Sequence, residues 1–333
     1  MGRLFVPAHR VGVVREYPFE LALCAHLEAR EETVVARQLG GGVREPANRV
    51  LDVVCVEPGP GFEDRANLTP ETVPHAAIES DVGVGRARDP VKAIDAPPER
   101  ARRIAERAVE IGFFERAVGG GVRQVARYPD DWFGRLVAVE NKPDLGDPGD
   151  LRLQLRKDAA LALVDEVVLA TESYVTGAHL NRIPEAVGVW RFDPETGDRE
   201  VVREADPLPA EDWGVELLDE RPLRTDVAMV SADEKARRRR RTAERAYGKG
   251  WRPDEFPACA EVEAAEREGS DGLPYCRWKE RVVNPANCGP DCPGHDPEDP
   301  PEVDAAAARD DRTPWVAEPE QKARRQSGLD RFG

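Results

Sequence analysis

Two short apolar runs carry charges that a buried strand ordinarily rejects. Residues 50–56 read Val50-Leu51-Asp52-Val53-Val54-Cys55-Val56, and residues 136–142 read Leu136-Val137-Ala138-Val139-Glu140-Asn141-Lys142. Each run is shorter than an ordinary helix, rich in Val and apolar on both faces, which is the pattern of a strand buried inside a sheet. A charge in such a strand costs free energy unless it is paired or binds a metal. An exposed face would also accommodate Asp52, but apolar neighbours on both sides of it count against that. The fold must therefore be built around a sheet that carries acids for a purpose.

The segments around these runs read as an α/β core. Residues 16–31 place Phe19, Leu23, Cys24 and Leu27 at helical spacing, with Pro18 at the expected first helical position. A short strand over 33–37 follows, then the turn Gly40-Gly41-Gly42 and the strand over 49–56, which Pro58-Gly59-Pro60-Gly61 ends. Residues 60–120 form an expected insertion, including a charged amphipathic helix over 97–114. Strands over 122–127 and 135–140 flank Pro129-Asp130-Asp131 and are expected to pair. A helix over 151–166 then leads to a strand over 167–171, and a helix crossing between two strands implies that they run parallel. The expected domains are a core over 1–185, a short β appendix over 186–230, an Arg-rich helix with a Cys-bearing segment over 231–295, and a disordered tail over 296–333.

Glu140-Asn141-Lys142 is the best candidate for chemistry. Acid-x-Lys is a weak pattern, and it recurs at Asp233-Glu234-Lys235 and Glu320-Gln321-Lys322. Only Glu140 and Lys142 emerge from an apolar strand. Alternation puts both on one face, about 7 Å apart along the strand, with Asn141 facing away.

A lone Asp on one core strand, an acid-x-Lys on the next, and a helix leading into a further strand resemble the PD-(D/E)XK nuclease superfamily over residues 16–172. The resemblance extends to its RecB-like, Cas4-like and Holliday-junction-resolvase-like members. It implies a restriction-endonuclease-like core, a mixed sheet flanked by helices, with Asp52 and Glu140 holding Mg²⁺ or Mn²⁺ and Lys142 assisting the attacking water. Glu20 matches an acid that several of these nucleases carry in the opening helix, and Gln154 matches a polar helix residue of the RecB-like branch. Gln154 and Lys157 share a helical face and would touch substrate. The sequence departs from the pattern at Asp158, where that branch carries an aromatic, at Leu51, where a Pro precedes the Asp, and in its long insertion. The implied activity is hydrolysis of phosphodiester bonds, of DNA rather than RNA, in repair or recombination. The alternative is a catalytically silent nuclease-fold protein that binds nucleic acid or a protein partner.

Cys259, Cys276, Cys288 and Cys292, with His295 just after, form a second constellation. Cysteines in a loop-rich segment of a cytosolic chain read as metal ligands before disulfides. Paired CxxC ligands are absent, so a zinc ribbon is not indicated. Some RecB-like nucleases carry a four-iron iron-sulfur cluster held by four cysteines. They place one of the four before the core, whereas all four lie downstream here; the expected ligand is such a cluster or Zn²⁺. Cys24 and Cys55 belong to apolar patterns and are expected in the core. The Arg run over 237–241 reads equally as a solvated helix face and as a phosphate-contacting patch.

The net charge of −16 argues against a polyanionic partner at first sight. Acids are spread along the whole chain, and only seven of the 48 basic residues are Lys, a balance that resembles proteins of salt-loving organisms. Net charge speaks to solubility and association rather than fold. No apolar stretch approaches the roughly 20 residues of a membrane helix, and residues 1–6 lack an export pattern. The expected location is the cytoplasm, with no membrane partner; nothing in the sequence sets an oligomeric state.

Overall fold

The computed structural model of the chain describes residues 9–253, 255–265 and 272–310. Its elements in chain order are α1 (His9–Glu31), β1 (Val34–Gly40), β2 (Val50–Pro58), α2 (Phe62–Ala66), α3 (His75–Ile78), α4 (Pro90–Ala93), α5 (Pro98–Glu110), β3 (Phe114–Arg116), β4 (Val122–Gln124), β5 (Phe133–Asn141), α6 (Leu151–Leu161), β6 (Glu166–Thr171), α7 (Gly177–Leu180), β7 (Gly188–Phe192), β8 (Arg199–Arg203), β9 (Gly214–Arg221), β10 (Arg224–Val230), α8 (Ala232–Lys249), β11 (Val262–Ala264), β12 (Pro274–Cys276), β13 (Arg281–Val282) and α9 (Ala305–Asp310). The chain divides into two compact units. The N-terminal residues expected to lack an export signal, and the end of the expected tail, lie outside the described residues.

The first unit is α/β, with a mixed six-stranded sheet in the order β1-β2-β5-β6-β7-β8 flanked by helices. β1 and β2 are antiparallel, β5, β6 and β7 are parallel, and β8 returns antiparallel to β7. The parallel pairing of β5 and β6 across α6 is as the strand-helix-strand pattern requires. One face packs Val35, Val53, Cys55, Val137, Val139 and Val168 under α1, whose Phe19, Leu23, Cys24 and Leu27 are buried in the same cluster. Each such Leu or Phe contributes about 1.5–3 kcal/mol relative to an exposed one. Cys24 and Cys55 are core residues, as expected.

Several boundaries differ from the sequence reading, each for a physical reason. Pro18 lies inside α1, not at its start; it removes one rung of the helical ladder, and the burial of Phe19, Leu21, Leu23 and Leu27 carries the helix through. The strand expected over 122–127 does not pair with the one over 135–140. β4 instead forms a hairpin with β3, because Gly119, Gly120 and Gly121 all adopt positive φ and make the tight reversal that Pro129-Asp130-Asp131 does not. The helix expected over 151–166 ends at Leu161, where Ala162 turns left-handed at φ 48°. The expected appendix over 186–230 is split: β7 and β8 extend the central sheet, and only β9 and β10 form a separate hairpin. The start of the expected tail, from 296, carries no regular structure until α9.

The second unit spans Pro58–Gly134 among the described residues, wider than the expected insertion over 60–120. It holds α2 to α5 and the β3–β4 hairpin around Phe113, Phe114 and Trp132. Arg65, fully buried there, donates to the carbonyls of Thr69 and Glu71 and lies 5.7 Å from the Trp132 ring centroid. Carbonyl acceptors and an aromatic face are partners that suit a buried guanidinium.

Candidate acid site in a cleft at the end of the sheet

β2 and β5 are neighbours in the sheet, so Asp52 and Glu140 meet where the two strands end. Glu140 and Asp52 line the same cleft, and the Asn141 backbone N–H donates to Asp52 Oδ2 at 3.1 Å. Burial raises the pKa of both carboxyls. Asp52 is opposed chiefly by the Asn141 N–H and pushed further by the Glu20 charge, while Glu140 is pushed further by Asp52 and opposed by Arg49. Two neighbouring carboxyls, one buried and one half-buried, favour a bound cation or a shared proton over two bare charges.

Alternation along β5 sends Asn141 to the opposite face, where it meets α1. There its Nδ2 donates to Glu20 Oε2 at 2.7 Å, so the residue expected to face away from the chemistry orients the third acid. Glu20 also accepts from Arg37 Nη1 at 3.0 Å and from Gln38 Nε2 at 2.9 Å. Because Nδ2 must point at the carboxylate, Asn141 Oδ1 is the atom left over, and it is buried without a hydrogen-bond partner. Gln38 sits at φ 55°, and its amide bridges Glu20 and, at 3.5 Å, Asp52 Oδ1. A non-glycine residue held left-handed beside two acids is the kind of local strain that functional sites retain.

Asp52, Glu140, Lys142, Glu20 and Gln154 all line one cleft of about 1070 Å³. Lys142 Nζ pairs with Glu16 Oε1 of α1 at 2.7 Å. Lys157 is not in the cleft: its ammonium donates to Asn48 O and to Asn48 Oδ1 at 2.7 Å, so the helical face it was expected to share with Gln154 divides between the cleft and the β1–β2 connection. The lining carries Glu16, Glu20, Asp52, Glu140, Asp150 and Glu255 against Arg37 and Lys142. A phosphate approaches such a cleft only with added cations.

Sequence reasoning missed Arg49. Its Nε and Nη2 form a two-point pair with Asp158 at 2.9 and 2.7 Å, and Nη2 also contacts Glu140 Oε2. All three residues are buried. The only hint was negative, the acid at position 158 where an aromatic was expected.

The four cysteines converge less tightly. Cys259 and Cys276 are buried with Val262 and Val283, with Cys288 packed against them. Burial raises the Cys288 thiol pKa, and the three other cysteines add to it while Lys279 opposes. No disulfide is formed by the six cysteines, and among the described residues no group of three or more His, Cys, Asp or Glu side chains stands in a metal-holding arrangement. The Arg run on α8 is neither wholly solvated nor a free basic patch. Arg238 is buried with Nη2 on Gly40 O at 2.5 Å, and Arg239 pairs with Asp165 at 2.7 Å and with Leu163 O.

One family model matches residues 34–297, that of a family of unknown function, DUF5787. The chain belongs to this family. The matched region includes Asp52, Glu140, Lys142 and all four C-terminal cysteines, and begins after α1, which supplies Glu20. No curated protein and no solved structure matches the chain. No described helix is long and apolar enough to cross a membrane.

Proposed function

We propose that the chain is a divalent-metal-dependent nuclease that hydrolyses phosphodiester bonds, of DNA in particular, in repair or recombination. The observation that carries this reading is the meeting of Asp52 and Glu140 at the ends of neighbouring strands, in a cleft that also holds Lys142, Glu20 and Gln154. Oxygen donors suit Mg²⁺ or Mn²⁺, and Asp52 and Glu140 supply them side by side in the cleft. Asp52 and Glu140 would hold the ion, which would acidify a water and offset charge developing on the phosphate.

The chain's own groups do the rest. Lys142 brings a positive charge to the cleft, where it stabilises charge on the phosphate oxygens, and Glu16 steadies its ammonium. Glu20 acts through Asn141 and Gln38, fixing the amides that frame Asp52. Gln154, at the rim on α6, is placed to touch substrate. Lys157 has no part in this reading, because Asn48 holds it.

A second reading is a silent nuclease-fold protein that binds nucleic acid or a partner, and the Lys142–Glu16 pair favours it by occupying the ammonium. Labelled single- and double-stranded DNA, incubated at high salt with Mg²⁺ or Mn²⁺, separates the two. The nuclease reading expects cutting that EDTA abolishes and that Asp52→Ala and Lys142→Ala each lower by about 100-fold or more. Binding without cutting, or cutting that survives both substitutions, moves the protein to the second reading.

For the thiol segment we propose bound metal, an iron-sulfur cluster or Zn²⁺ held by Cys259, Cys276, Cys288 and Cys292. The support is a small apolar cluster in which Cys259, Cys276 and Cys288 gather with Val262, Val283 and Phe256, in a segment too short to have a substantial core of its own. Visible absorbance of anaerobically purified protein identifies a cluster, and metal analysis identifies zinc; metal-free protein by both removes the proposal.

A further inference from the structure

The guanidinium of Arg49 stands behind Glu140, outside the cleft lining. Its donors are spoken for from three directions: Asp158 Oδ1 and Oδ2 on α6, Glu140 Oε2 on β5, and the carbonyl of Val50, the first residue of β2. The α6 grip is doubled one residue away, where Lys157 holds Asn48. Residues 48 and 49 are thereby fixed against the helix before β2 begins, and the planar fork of the guanidinium cannot turn without losing two carboxylates at once.

This arrangement has a consequence for how Glu140 can act. Oε2 is held toward Arg49, which stands outside the cleft lining, so a cation in the cleft would meet Oε1 first. Ca²⁺ takes six to eight oxygens and often both oxygens of a carboxylate, whereas Mg²⁺ and Mn²⁺ accept single oxygens in an octahedral set. We propose that Arg49, clamped by Asp158, fixes Glu140 as a single-oxygen ligand and so makes the cleft select a small octahedral divalent cation over Ca²⁺. This rests on the metal reading of the acid pair. Arg49 is a positioning residue: it touches neither substrate nor ion and acts through Glu140.

The test measures binding rather than turnover. Mn²⁺ and Ca²⁺ are titrated into the full chain at molar KCl, with Mn²⁺ followed by electron paramagnetic resonance and Ca²⁺ by its displacement of Mn²⁺. Wild type is compared with Asp158→Asn, which keeps the volume and one acceptor for Arg49, and with Arg49→Lys, which keeps the charge but loses the fork; circular dichroism melting identifies folded variants. The wild type is expected to prefer Mn²⁺, and both variants to lose about 10-fold or more of that preference, the usual scale for a group that orients a ligand. Folded variants with an unchanged Mn²⁺ to Ca²⁺ ratio overturn the role of Arg49 and leave the metal reading standing. A wild type that binds neither ion overturns the metal reading beneath it.

Discussion

The acid cleft and the thiol segment both gather polar side chains out of water, and they do it in opposite ways. Around the cleft the buried charges are tied mostly to partners far away in sequence. Arg49 reaches Glu140 across 91 residues and Asp158 across 109, and Asn141 reaches Glu20 across 121. In the thiol segment Cys259, Cys276 and Cys288 pack with Val262, Val283 and Phe256 in one small cluster. One polar tie is the Asp296 N–H on Cys259 Sγ at 3.4 Å. These long-range ties brace the cleft from several elements at once. The thiol segment leans on what it is attached to, with Trp251 and Leu273 inserted into the core under α1.

The largest effect follows from breaking the cleft's network at its centre. Arg49→Ala leaves Glu140 and Asp158 as neighbouring buried acids without their cation, and removing one member of a buried ion pair costs about 3–5 kcal/mol. Urea unfolding followed by far-ultraviolet circular dichroism should show this loss. A loss below about 1 kcal/mol, the range of exposed pairs, would mean that water reaches the network and that the contrast between the two regions is false.

A smaller effect sharpens the dependence of the thiol segment on its anchor. Glu28 of α1 accepts from Trp251 Nε1 at 2.9 Å and from both terminal nitrogens of Arg252, and it is almost fully buried. Glu28→Gln removes the charge that Arg252 needs and should cost about 1–3 kcal/mol. Limited proteolysis should then cut within residues 255–296 before it cuts the central sheet. Uniform cutting across the chain would show that the segment is not held separately.

How much of this was legible in the sequence depended on whether the signal was local. Asp52, Glu140 and Lys142 stood out because a charge in an apolar run is visible within seven residues. The parallel β5–α6–β6 unit was legible for the same reason, as helix and strand periods follow one another directly. β7 was readable as a strand but not as a neighbour of β6, since alternation says nothing about which strand lies alongside. Arg49 was invisible: it follows Pro46-Ala47-Asn48 in a polar turn, and its partners are supplied by distant elements. The Arg run was legible only in part, because five adjacent Arg residues point all round a helix and two of them, Arg238 and Arg239, point at the body of the unit.

Gln38 gives the finest test of the cleft's rigidity, because its side chain and its backbone pull in opposite directions. The side-chain amide holds Glu20 and Asp52 together, while the left-handed backbone at φ 55° costs about 1 kcal/mol for any residue with a Cβ. Gln38→Ala removes the amide and keeps the strained backbone; Gln38→Gly removes both. If the surrounding strands impose the conformation, the Gly variant should be more stable than the Ala variant by about 1 kcal/mol in the same urea titration, after the intrinsic flexibility of Gly in the unfolded chain takes back part of the gain. Equal stabilities would mean that β1 relaxes once the amide is gone, so that the left-handed turn is made by the hydrogen bonds to the acids and not by the sheet. The cleft would then be held by its polar network down to the backbone, and its geometry would follow the charge on Glu20 and Asp52.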